Sequence, residues 1–215
     1  MFSGITQGLY QIAALEKKAN FIDYTVTLSE ALCDGLSSGQ SIAIDGVCQT
    51  VVDIQGICVR FQAIEETLNK TTLRWLNQGD WVSVERSLRL GDEIGGHEVS
   101  GHVFGLAKIQ QRYPASEQLT LLIQCNPAWM KYILPKGFIA LDGSSLTVGE
   151  TNPAEGCFYV HLIPETLERT RFGSKQIGEK VNLEFDQKTK TLVDTVERIL
   201  PNYLKMHQSH QSCAT

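Results

Sequence analysis

Several common functional signatures are missing from this chain of 215 residues. Lys and Arg number 19 against 24 Asp and Glu, a formal charge of −5, and no basic block breaks that balance. An acidic chain of this kind argues against a nucleic-acid surface. The longest apolar runs, such as Ile12 to Leu15 and Phe138 to Leu141, are far too short to cross a membrane. Met1-Phe2-Ser3-Gly4 lacks a basic region followed by an apolar stretch, so no signal peptide is expected and the location expected is cytoplasmic. The six cysteines, at 33, 48, 58, 125, 157 and 213, never form a Cys-x-x-Cys pair. They read as reduced thiols, mostly buried as small hydrophobes, with Cys213 exposed in a polar tail. Neither a Gly-x-x-x-x-Gly-Lys-Ser/Thr loop nor a Gly-x-Gly-x-x-Gly turn occurs, so nucleotide phosphates are not an evident target. No Gly-x-Ser-x-Gly elbow marks a hydrolase serine.

What is present is a repeat. Ser41 to Val51 returns as Phe138 to Val148 at an offset of 97, with identity at six of eleven positions. Each copy reads as a strand, a tight Asp-Gly turn and a second strand. Ser3 to Leu9 and Ser100 to Leu106 open the two halves at the same offset, and their paired glycines suggest strands that bend sharply or approach a ligand. Phe21 to Leu28 and Leu119 to Gln124 alternate as strands do. Ser29 to Leu32 reads as a short capped helical turn ended by Gly35, with its equivalent in Pro127 to Ile133. Val59 to Ile64 and Phe158 to Ile163 give a further strand each, and each leads into Glu-Thr-Leu, at 66–68 and 165–167. A glycine and an acid-capped strand close each half, at 79–85 and 178–184.

About six short strands per half predict a mainly β chain: two tandem six-stranded antiparallel β-barrels plus a C-terminal α-helix. The expected division is a barrel over 1–97, a second over 98–186, a helix over 187–206 and a disordered tail over 207–215. Leu192, Val196, Ile199 and Tyr203 recur at spacings of four, three and four, a helical seam that Pro201 would end or kink. The seam could pack on its own barrels or form a symmetric oligomer contact.

Few residues look chemical. His97 and His102 sit in Gly95-Gly96-His97-Glu98-Val99-Ser100-Gly101-His102, at a spacing that does not place two imidazoles on one helical face. They read either as linker residues bonding backbone or as proton-transfer groups beside a pocket. Two residues after each turn glycine stands a nucleophile-type side chain, Cys48 in one copy and Ser145 in the other. Cys48 could be a nucleophile or only a small buried residue. Glu-Thr-Leu could be an exposed turn or a polar clasp, and its occurrence in both halves favours the clasp.

Taken together, Met-Phe-x-Gly-Ile at 1–5, the Asp-Gly-x-Cys hairpin, Gly-Gly-His-x-x-x-x-His at 95–102, the stretch 136–148, His-Leu-Ile-Pro-Glu-Thr-Leu at 161–167 and 193–198 resemble riboflavin synthase, α chain, of the bacterial type. The resemblance runs in order to about Leu200. It implies a transferase for the last step of riboflavin biosynthesis, in which two 6,7-dimethyl-8-ribityllumazine molecules dismutate. A four-carbon unit passes between them, giving riboflavin and 5-amino-6-ribitylaminouracil. It implies no metal and no organic cofactor, a homotrimer joined by C-terminal helices, and a substrate pair held between neighbouring subunits. Lumazine synthase is a further candidate partner.

By the same resemblance, Ser41, Cys48, His102, Asp142, Ser145 and Asp186 are expected near the chemistry. The first pocket is expected to use Gly4, Ile5, Thr6, Cys48, Gln49, Thr50, Gln62, Ala63, Ile64, Glu65, Glu66 and Thr67. The second is expected to use Gly101, His102, Val103, Lys136, Ser145, Leu146, Thr147, His161, Leu162, Ile163, Pro164, Glu165 and Thr166. Phe2 is expected to pack over a substrate ring. Cys48 or a hydroxide would add to C7 of the donor, His102 would move a proton of the 7α-methyl group, and Ser145 would orient or relay. Two positions depart from the family pattern. Gln49 stands where an apolar residue is usual, and is expected at the pocket wall; Arg171-Phe172 stand where Thr-Leu is usual. The rival reading is a non-catalytic lumazine- or flavin-binding antenna protein, against which both halves keep their polar residues.

Overall fold

The computed structural model describes residues 1–211, and its architecture is two closed six-stranded antiparallel barrels followed by a helix. The first barrel is built from β1 (Gly8–Lys17), β2 (Phe21–Thr27), β3 (Ser41–Ile44), β4 (Val47–Gln55), β5 (Cys58–Ile64) and β6 (Trp81–Arg86), in the order β1-β2-β5-β4-β3-β6. The second uses β7 (Gly105–Pro114), β8 (Leu119–Gln124), β9 (Phe138–Leu141), β10 (Ser144–Asn152), β11 (Cys157–Leu162) and β12 (Lys180–Phe185) in the equivalent order. Period-two burial makes the strands. Ile22, Tyr24 and Val26 point inward from β2, and Leu119, Leu121 and Ile123 do the same from β8. Register shifts at Ile12/Ala14 and Ile109/Gln111, again 97 apart, bend the long first strand of each barrel so that it can close.

Two of the short helical turns start at side-chain caps. Ser29 Oγ accepts from the Leu32 amide at 3.3 Å and starts α1 (Glu30–Cys33); Asn126 caps the equivalent 3-10 turn, Pro127–Tyr132. The Glu-Thr-Leu stretches lie on α2 (Glu65–Lys70) and α3 (Pro164–Arg169), not in open turns. The segments 3–7 and 100–104 are not barrel strands, contrary to their sequence reading. β1 and β7 begin only at Gly8 and Gly105, and the preceding residues cross between the barrels.

The last helix, α4 (Gln187–Gln211), passes both Pro201 and the boundary expected at 206. A proline removes one main-chain hydrogen bond and bends a helix, and here the residues beyond it extend the helix further. Of the tail expected at 207–215, residues 212–215, Cys213 among them, lie outside the described residues. One face of α4 packs on the second barrel: Tyr132 donates to Asp194, Lys131 pairs with Glu197, and Val193 meets the core. The seam residues Leu192, Val196, Ile199 and Tyr203 face away from it and stay exposed. Among the described residues no helix is long and apolar enough to cross a membrane.

Candidate active site

The two barrels meet at their duplicated hairpins. Asp45 and Gly46 have φ of 44° and 76°, and Asp142 and Gly143 have 43° and 82°, the doubly positive pattern of a type I′ turn. The turns abut so closely that a Cβ on Gly46 would lie 2.2 Å from the Gly143 nitrogen. Between them Phe2, Ala43, Val99 and Ala140 form a small buried cluster, with Phe2 and Val99 bridged through their backbones. Phe2 is therefore wholly buried between the barrels, and the expectation that it lies over a substrate ring does not hold.

Each opening segment is fastened to its own half and docked on the other. The Ser3 amide, the Ser3 hydroxyl and the Gly4 amide donate to the Glu85 carboxylate at 2.7, 2.8 and 3.1 Å. The Ser100 amide, its hydroxyl and the Gly101 amide donate to Glu184 at 2.7, 2.7 and 2.9 Å. Burial pushes the Glu85 carboxyl up, and its Ser3 and Gly4 donors offset part of that. The Gly4 carbonyl then accepts from the Ser145 amide, and the Gly101 carbonyl from the Cys48 amide, both at 2.8 Å. Neither glycine could carry a side chain: a Cβ would meet Ser145 Cβ at 2.6 Å or Cys48 Cβ at 2.7 Å.

This exchange corrects the division drawn from sequence. Gly4, Ile5 and Thr6 lie against the second hairpin, where Thr6 Oγ1 meets Ser144 Oγ at 3.1 Å. Gly101, His102 and Val103 lie against the first. With Cys48, Glu66 and Thr67 they line a cavity of about 250 Å³. Sequence offset shows which segments are equivalent, not which barrel a crossing segment reaches.

Strand alternation sorts the remaining expected residues. On the outer face of the first barrel stand Ser41, Cys48, Thr50, Gln62 and Ile64; on the second stand Lys136, Phe138, Ser145, Thr147, His161 and Ile163. Gln49, Ala63, Leu146 and Leu162 point into the barrel cores and can offer a ligand only backbone. Gln49 is thus not a pocket wall: its Oε1 accepts from buried Tyr24 Oη at 3.1 Å, and its Nε2 donates to the Cys48 carbonyl at 3.0 Å. Glu66 and Glu165 are each held by the cation four residues on, Lys70 and Arg169. The Lys70 hydrogen bond and charge hold Glu66 below its ordinary carboxyl range. Glu65 and Pro164 lie exposed at the starts of the same helices, while Thr67 and Thr166 accept through their carbonyls from Thr71 and Thr170. Gln62 Nε2 donates to Asp23, and the equivalent His161 Nδ1 pairs with Thr120.

Asp142 is held in the barrel junction. Its Oδ1 accepts from the Asn182 amide at 2.8 Å and its Oδ2 pairs with buried Lys175 at 3.0 Å, so both oxygens serve the barrel junction. Its counterpart Asp45 accepts from the Ser83 amide at 2.7 Å and lies 3.6 Å from Arg171. Burial, and next the charge of Asp142, push Asp45 up to about 6 against the pull of Lys175 and Arg171. Arg171 therefore has a local partner, and Phe172 fills the second core.

Asp186 caps α4, accepting from the Thr189 amide and hydroxyl at 2.9 and 2.7 Å. Burial acts to raise its carboxyl, but the Thr189 bonds and the charge of His97 outweigh it and hold it low. His97 is the residue that the sequence reading left out of the site. Its Nδ1 lies 2.6 Å from Ser145 Oγ, and burial pushes its pKa down against the pull of Asp186. The Gly-Gly-His motif was the available signal. His97 and His102 serve different hairpins, so they do not converge.

The Lumazine binding domain family model matches this chain twice, over residues 3–87 and 100–186. The chain is 47% identical over 202 residues to the riboflavin synthase of Escherichia coli (strain K12), covering 93% of each. It is 42% identical over 206 residues to that of Chlamydia pneumoniae, covering 93% of this chain and 97% of the relative. Among solved structures it is similar to LumP complexed with riboflavin, with a TM-score of 0.79 and 25% identity over 86% of this chain and 99% of that one. The complex of LumP with 6,7-dimethyl-8-(1'-D-ribityl) lumazine shares the fold, with a TM-score of 0.77 at 24% identity over the same shares.

Proposed function

The chain belongs to the riboflavin synthase family, and from that premise we propose that its two outer barrel faces hold one 6,7-dimethyl-8-ribityllumazine each and bring the pair together between protomers. The reaction is the dismutation: a four-carbon unit leaves one molecule for the other, giving riboflavin and 5-amino-6-ribitylaminouracil. The observation that carries the reading is the duplicated face with unequal polar atoms, Cys48 in one half and Ser145 beside His97 in the other. Two identical molecules need two similar seats, and holding both removes much of the association entropy. One molecule must still donate and the other accept, so the seats must differ.

Both faces are open. Ile64 is 58% exposed and Ile163 61%, apolar positions that a second face would cover. The exposed apolar stripe Leu192, Val196 and Ile199 on α4 supplies a way to bring that face from a neighbour, and three such helices, one from each of three chains, joined along it make the homotrimer we propose. In such an assembly Cys48 of one protomer faces the second barrel of the next. Cys48, or a hydroxide held beside it, adds to C7 of the donor in the first barrel. His102, in the same cavity, takes a proton from the 7α-methyl group of the acceptor across the interface. Glu66 and Glu165 accept from ribityl hydroxyls or ring N–H groups. The sequence-based expectation of a cytoplasmic location goes with this reading.

The test is to incubate the purified chain with 6,7-dimethyl-8-ribityllumazine and follow riboflavin absorbance. Conversion is expected. Binding without conversion would leave the antenna protein, and no binding would remove both.

A further inference from the structure

Ser145 has a neighbour that Cys48 lacks. His97 follows the Gly95-Gly96 pair in the segment that joins the two halves. Its backbone is tied to the first half, where the His97 amide donates to the Ser3 carbonyl at 3.1 Å. The residue is buried, with 6% of its surface exposed, and its ring stacks on Phe138 at a centroid distance of 5.1 Å and 15° between planes. Nδ1 meets Ser145 Oγ at 2.6 Å, while Nε2 is buried with no hydrogen-bond partner among the described residues.

That geometry favours one direction for the hydrogen bond. Burial outweighs the pull of the Asp186 carboxylate and favours the neutral ring, which carries one proton. With the proton on Nε2, a buried N–H would have no acceptor. With it on Nδ1, the ring leaves only a bare lone pair, the less costly orphan. His97 Nδ1–H then donates to Ser145 Oγ, and the serine's own proton is free to point at a ligand on the outer face.

Resting on the function proposed above, we infer that His97 is a positioning residue that fixes the Ser145 hydroxyl as a hydrogen-bond donor, which makes the second barrel the seat of the molecule that becomes negatively charged. That molecule is the acceptor, whose 7α-methyl group gives up a proton and leaves an electron pair delocalised into the ring carbonyls. A fixed donor aimed where charge develops stabilises the transition state more than the ground state. The first barrel has no matching device, and its Cys48 suits the molecule that is attacked.

His97→Phe separates this role from packing, because phenylalanine fills the same space and can stack on Phe138. The expected result is a fall in kcat on the order of tenfold to a hundredfold, with KM changed little, in a protein that melts where the wild type does. In the Ser145→Ala background, His97→Phe is expected to cost nothing further, since the two act through one hydrogen bond. His97→Gln, which keeps an N–H, is expected to recover part of the loss and covers the case in which the phenylalanine variant fails to fold. Wild-type kcat in both single variants, or additive losses in the double variant, would overturn the inference. Absence of turnover in the wild-type chain would instead overturn the functional reading beneath it.

Discussion

The two halves of this chain are alike where they hold each other and unlike on the outer faces proposed to hold substrate. At the junction, Ser3-Gly4 on Glu85 and Ser100-Gly101 on Glu184 repeat to within 0.2 Å. At the outer faces, Cys48 answers Ser145, Gln62 answers His161, and His97 stands beside Ser145. The contrast fits a duplicated module whose docking geometry allows little change while its seats diverge for two roles in one reaction. Inside the barrels a third pattern appears: one core carries the buried Tyr24–Gln49 hydrogen bond where the other has Leu121 and Leu146.

The junction is where the likeness is most easily broken. Gly46→Ala puts a Cβ against the backbone of the facing turn at positive φ, and is expected to cost about 4 kcal/mol or more. Gly56→Ala is its control, with φ of 62° and nothing within 4 Å; it should cost about 1 kcal/mol. Urea unfolding of both variants measures the difference, and equal losses would show that the turns do not abut.

Next come the two turn aspartates, equivalent in sequence but unequal in charge environment. Asp142→Asn breaks the ion pair of buried Lys175, leaving it the Lys180 carbonyl and the more distant charge of Asp45, and is expected to cost about 3 kcal/mol. Asp45→Asn keeps an acceptor for Ser83 and removes a charge that burial disfavours, so its cost at neutral pH should be small. It should also flatten a pH dependence. An unfolded aspartate titrates near pH 4, whereas folded Asp45 titrates at about 6. The folded state thus holds this proton more tightly, and stability due to Asp45 falls as pH rises between about 4 and about 6. Unfolding free energies across that window should lose this slope in the asparagine variant. An unchanged slope would assign it to another group.

The fold was legible because each half repeats at a fixed offset with period-two alternation, which predicts strands, turns and barrel count. The crossing of segments 3–6 and 100–103 was not, since a docking partner leaves no periodic trace. Phe2 and Gln49 were misplaced for a related reason. Motif resemblance marks a position as important, and only burial tells whether its side chain serves the core, the junction or the ligand face. His97 was legible as a motif but not as the neighbour of Ser145, 48 residues away.

The smallest expected effect concerns the cores. Gln49→Leu copies the second barrel but orphans the Tyr24 hydroxyl, at about 1–2 kcal/mol. Adding Tyr24→Phe removes both partners and should return most of that loss. Failure of the second change to help would show that Gln49 acts through the Cys48 carbonyl instead.

The central claim is that one reaction uses the first face of one protomer and the second face of another. Cys48→Ala and Ser145→Ala chains can be mixed, dissociated in mild denaturant and reassembled together. The shared site predicts activity above the sum of the two variants assembled separately, because some interfaces then join an intact first face to an intact second face. Reassembled oligomers with no gain over that sum would contradict it and return the whole site to a single chain.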